Sequence, residues 1–143
     1  MPLAMRAVLC CLALAAPAHA TCSVELSPVA FGDVDVRTTS HGTGEVVVRC
    51  DEAASFEVAI GSGGAAGGMR RMGGPGGSRL EYRLFADAAR AVPWGDGGSL
   101  GAAVRGSSDG NGPRRLTIYG EIPRQTGVEA GTYLDTMQVT LTF

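Results

Sequence analysis

From residue 23 onward the chain alternates apolar and polar positions, and no window longer than ten residues carries a convincing helical stripe. This period of two predicts six strands, at residues 23–31 (broken at Pro28), 44–50, 55–60, 80–85, 115–122 and 133–143. In the third, Phe56, Val58 and Ile60 share one face and Glu57 takes the other. The fourth sets Leu80, Tyr82 and Leu84 against Glu81, Arg83 and Phe85. In the fifth, Leu116 and Ile118 point inward and Gly120 marks a bend or bulge. The last pattern is the strongest, with Tyr133, Met137, Val139, Leu141 and Phe143 opposite Thr136, Gln138, Thr140 and Thr142.

Short strands joined by turn-rich segments predict an all-β fold, an immunoglobulin-like β-sandwich. Such sandwiches close with about seven strands. Six leave this one incomplete, lacking the final strand, and the sequence stops at Phe143 directly after an apolar-faced segment. That segment contains no Pro or Lys to blunt its edge. Two outcomes are open. Residues 23–29 or 34–38 swing round to pair with it, or another polypeptide supplies a strand by β-strand addition. In the second case the acceptor groove is lined by Val29, Phe31, Met137, Val139, Leu141 and Phe143. Four or five inserted apolar side chains contribute on the order of 10 kcal/mol before ordering costs, as much as the whole stability of a small domain.

Two glycine-rich connections separate the strands. Residues 61–77 hold nine glycines in seventeen positions, a composition expected of a mobile surface loop. The second covers residues 93–113, and neither contains a GxGxxG or GK[ST] phosphate cradle. Trp94 is expected to pack against the sandwich end rather than stand exposed. Tyr133, two residues after Gly131, is either a tyrosine corner or an ordinary core aromatic. Arg70 and Arg71 read as a solvated pair or as contacts for acidic groups of a partner.

Composition narrows the function. At 143 residues there is room for one small domain. All twelve basic residues are arginine and none cluster, so neither nucleic acid nor an anionic membrane surface is an expected partner. The absence of lysine excludes a P-loop and Schiff-base chemistry. Asp109, Gly110, Asn111 and Gly112 resemble a fragment of a calcium loop but lack the spaced ligands and closing Glu. His41 has no nucleophile elbow to serve. No catalytic residue, metal site or cofactor is expected, and the chain is not read as an enzyme.

The amino terminus reads as an export signal. Arg6 precedes ten apolar residues (AVLCCLALAA, 7–16), and Ala18-His19-Ala20 is a small-x-small cleavage pattern. Ten apolar residues fall short of the roughly 20 a spanning helix needs. Residues 1–20 are therefore predicted to be a secretory signal peptide, residues 21–143 the domain, and the mature chain not to insert in a membrane. Removal of the signal takes Arg6 with it and moves the formal charge from −2 to −3. Cys10 and Cys11 leave too, so Cys22 and Cys50 remain as one predicted disulfide in an oxidising compartment.

The ordered fragments VAFG (29–32) after Cys22, GEVVVRC (44–50), MRRM (69–72), LEYRLFAD (80–87), WGDG (94–97), YGEIP (119–123) and GTYLDT (131–136) resemble the spore coat protein U domain family. The resemblance covers essentially all of residues 22–143. It implies an exported structural subunit of an archaic chaperone-usher pilus or a related surface or spore coat, an incomplete immunoglobulin-like domain. It also implies its partners: a periplasmic pilus chaperone that lends a strand, an outer-membrane usher, and other pilus subunits. The route is through the periplasm to the cell surface. A ligand-binding adhesin and a stand-alone coat protein are the alternatives. Polymerising subunits carry a donor segment of about ten extended residues before the first cysteine, whereas only Thr21 would precede Cys22 here. A terminal, tip-like position is the expectation. Mass spectrometry of the exported protein is expected to find Thr21 as its first residue; a start well upstream would restore a donor segment.

Overall fold

The computed structural model describes residues 19–143, so the predicted leader, residues 1–20, lies outside the described residues except for its last two. Among these residues there are eight strands: β1 (Cys22–Ala30), β2 (Ser40–Cys50), β3 (Ala53–Ile60), β4 (Arg70–Gly73), β5 (Arg79–Phe85), β6 (Val104–Asp109), β7 (Arg114–Ile122) and β8 (Val139–Thr142). They form two sheets, ordered β1-β2-β7-β5-β4 and β6-β3-β8. The result is an all-β, immunoglobulin-like sandwich. Every ladder is antiparallel.

The core follows the alternation. Val46 and Val48 of β2 and Ile118 and Ile122 of β7 pack inward from the larger sheet, against Phe56, Val58 and Ile60 of β3. Leu80, Tyr82 and Leu84 of β5 continue the same layer. Cys22 and Cys50 are direct register partners at the end of β1 and β2, and their sulfurs form the disulfide.

Two strands lie where mobile glycine-rich loops are expected. Residues 70–73 add β4 to the outer edge of β5, with Arg70 opposite Tyr82 and Met72 opposite Leu80. The cluster RRM supplies enough side chain to form an edge strand although glycines flank it on both sides. Likewise β6 pairs with β3, and its sequence VRGSSD escapes a hydrophobicity criterion because its inward positions are small. At Gly106 a Cβ would come within 2.6 Å of the Phe56 ring, so the strand can approach only without one.

Gly120, expected to mark a bulge, sits in an unbroken register between Gly42 of β2 and Leu84 of β5. Its role is close approach: a Cβ would meet the Phe31 ring at 2.6 Å and Val29 Cγ1 at 2.8 Å. The irregularity lies instead in β1, where the register shifts between Ser27 and Ala30 around Pro28, in agreement with the predicted break.

The last strand is shorter than its pattern. Residues 133–138 belong to no strand: Leu134 exchanges backbone bonds with Gly73 of the larger sheet, and Gly61 donates to the Gln138 carbonyl of the approach to β8. The segment crosses from one sheet to the other and becomes a ladder only at Val139. Replacing both Cys22 and Cys50 by Ser is expected to remove roughly 3 to 4 kcal/mol of stability through the unfolded state, measured by denaturant unfolding.

Candidate functional site

The outer edge of β1 and the outer edge of β8 have no strand partner among the described residues. Neither residues 23–29 nor 34–38 pair with β8: the former pair with β2, and the latter form no strand. Between the later half of β1 and the segment leading into β8 at Val139 runs a cleft of about 1100 Å³. Its floor is Leu80 and Tyr82 of β5 with Ile118 and Ile122 of β7, and its walls are residues 26–36 and 128–139.

Of the residues expected to line an acceptor groove, Val29, Phe31, Met137 and Val139 line this cleft. Leu141 and Phe143 do not. Leu141 packs from β8 against the core below, and Phe143 follows the last paired residue and is 56% exposed. Two lining residues escaped the pattern. Leu26 on β1 is 52% exposed and Leu134 is 75% exposed, large apolar side chains left open to water beside an apolar floor. Leu26 has the same parity as Cys22 and Val24, which is the signal that would have found it.

Tyr133 makes the tyrosine-corner contact. Its hydroxyl donates to the Glu129 carbonyl at 2.5 Å and is 2.8 Å from Ser78 Oγ. Gly74 lies against its ring, where a Cβ would fall 2.2 Å from Cε1. The start of the last segment is thereby pinned to the β4–β5 turn. Trp94 is 1% exposed and packs inside the sandwich end. Its backbone N–H donates to Leu84 of β5 and its indole N–H to Val58 of β3, so one residue ties the two sheets together.

Arg70 is neither solvated nor free for a partner. It is 2% exposed, and its guanidinium donates to the carbonyls of Gly61 (2.5 Å), Ile60 (3.2 Å) and Trp94 (3.0 Å), with Met137 Sδ at 3.1 Å. Burial pulls its pKa below the ordinary arginine range, opposed by the nearby Tyr82 and Asp135. Arg71 stays at the surface with Glu81 at 3.5 Å. The Tyr82 hydroxyl donates to Asp135 Oδ2 and lies 3.2 Å from Met137 Sδ. Asp135 Oδ1 also accepts the Gly64 N–H at 2.9 Å. Asp135 has the inward parity of Tyr133 and Met137, so a carboxylate at an apolar register position was its visible signal.

Other singled-out residues serve local structure. Asp109 accepts the Asn111 N–H in the β6–β7 turn, and His41 lies on β2 with Glu121 of β7 at 3.7 Å. Among the described residues no three His, Cys, Asp or Glu side chains are grouped to hold a metal.

The sandwich thus carries an open cleft with an apolar floor bordered by unpaired strand edges, and comparison with known proteins places the chain within a family. A model of the Spore Coat Protein U domain matches residues 8–140, beginning inside the predicted leader. The chain belongs to that family. Protein U of Myxococcus xanthus is 33% identical over 110 residues, 71% of this chain and 60% of that protein, so the chain spans less than two thirds of its relative's length. A chain in the crystal structure of the CsuC–CsuE chaperone–tip adhesion subunit pre-assembly complex, from archaic chaperone-usher Csu pili of Acinetobacter baumannii, shares the fold. It is matched with a TM-score of 0.62 and 22% identity, over 87% of this chain and 40% of that one.

Burial, and then the hydrogen bond to Asp135 and its charge, hold the Tyr82 phenol above its ordinary pKa, with Arg70 opposing. A pKa raised on folding stabilises below the unfolded value of about 10 and loses that contribution as pH rises through the folded value. Thermal melts above about pH 10 are therefore expected to fall more steeply for the native chain than for Tyr82→Phe; equal slopes would remove the phenol from the balance.

Proposed function

We propose that the protein is a non-enzymatic, exported structural subunit of a chaperone-usher pilus or related surface coat, whose cleft between β1 and β8 receives a strand from another polypeptide. The observation that carries this reading is the pair of unpartnered backbone edges flanking an apolar cleft. An extended segment laid there would bond to both edges and cover Leu26 and Leu134, joining the two sheets along their open side. Membership of the spore coat protein U domain family supports the assignment. The pilus complex that shares the fold supports a periplasmic chaperone as first partner, with other subunits and an outer-membrane usher acting later. Export through the inner membrane and display at the cell surface follow from the same reading.

Leu26→Arg separates folding from capture. The side chain is half exposed in the open domain, so the variant is expected to fold, oxidise and melt like the native chain. Burying the unpaired charge beneath a donor strand is expected to weaken binding by roughly tenfold or more. Co-purification with the pilus chaperone and titration with a donor-strand peptide measure this; native affinity in a folded Leu26→Arg protein would rule out the groove. Binding of a matched donor strand is also expected to raise the melting temperature with donor concentration.

A further inference from the structure

The cleft is apolar along its floor but acidic at one mouth. Four carboxylates line it, Asp33, Asp35, Glu129 and Asp135, and no arginine or histidine does. The topology brings them to the same end. β1 begins at the disulfide, so Asp33 and Asp35 follow its far end. β7 finishes with Ile122 opposite Ser40, again remote from Cys50, and the segment carrying Glu129 leaves from there. Leu134 then pairs with Gly73, which fixes Asp135 on the opposite wall. Asp35 is paired with the exposed Arg37 at 2.9 Å, while Asp33, Glu129 and Asp135 have no ion pair within 4.0 Å among the described residues. The buried Arg70 guanidinium is close enough to Asp135 for their charges to act on one another, but its donors go to main-chain carbonyls and to Met137 Sδ.

Covering this mouth strips water from carboxylates, which costs free energy unless the incoming chain brings opposite charge. We infer that the strand seated in the cleft belongs to another polypeptide, is apolar at alternate positions, and carries Arg or Lys at the end held between residues 33–35 and 129–135. This rests on the groove reading above and adds the chemistry of the occupant. The apolar face supplies affinity common to any donor, and the basic end sets which way round and from which partner the strand enters.

The test uses the full exported chain and two synthetic peptides with one shared alternating Val/Leu face, one ending in arginines and the other in glutamates. The arginine peptide is expected to bind about tenfold more tightly at low salt, a few exposed pairs being enough for that factor. The preference should shrink as salt rises. It should also fall in the double variant Asp33→Asn/Glu129→Gln, whose side chains are exposed, and in Asp135→Asn, whose amide oxygen can accept the Gly64 N–H while its amide nitrogen donates to the Tyr82 hydroxyl. Equal affinity for both peptides overturns the charge inference and leaves the groove standing. Binding of neither peptide overturns the groove reading, and this inference with it.

Discussion

Two backbone edges with no strand partner among the described residues border one cleft, β1 along its wall and β8 at Val139. β1 belongs to one sheet and β8 to the other, and each is bonded on one side only. Their free N–H and C=O groups meet water, so the fold persists, and above the buried floor the large apolar side chains of Leu26 and Leu134 stay exposed. A strand inserted as proposed would address both together, through hydrogen bonds at the edges and cover over Leu26 and Leu134. Most other features of the molecule serve to keep that opening in shape.

The opening would collapse if the sheets were free to slide, and polar fastenings resist this at one end. Trp94 bonds to β5 and β3 at once. Arg70, on β4, reaches across to the end of β3 and to Trp94 itself. Tyr82 and Asp135 tie the floor of the cleft to its wall. A buried arginine is costly unless its donors are used, and here main-chain carbonyls and a thioether take them. The disulfide secures β1 to β2 at the opposite end. The open side is thus framed by covalent and polar ties, while its middle is lined by apolar side chains.

Glycine has a complementary part along the β1 wall. Bare at Gly120, the surface of β7 lets Val29 and Phe31 settle close to the sheet after the shift at Pro28. Phe31 then meets Tyr82 edge to face, with ring centroids 6.4 Å apart. The irregular half of β1 is therefore part of the cleft's construction: it turns two apolar side chains toward the floor and leaves Leu26 uncovered.

The six strands expected from alternation are all present, together with the sandwich class and the cysteine pair, because each depends on local periodicity or on parity of count. Four of the six groove residues, Val29, Phe31, Met137 and Val139, line the cleft for the same reason. Period two shows which face a residue takes but not which neighbour its strand finds. Only the packed structure could make β4 and β6 from glycine-rich stretches, since edge strands need a partner's hydrogen bonds more than their own hydrophobicity. For the same reason the final segment divides between two sheets, removing Leu141 and Phe143 from the lining, and Arg70 becomes an interior tie rather than a surface charge. Alternation is written in the chain one residue at a time; the pairing of edges, and the cleft between them, arises from contacts between residues distant in sequence, which no local pattern encodes.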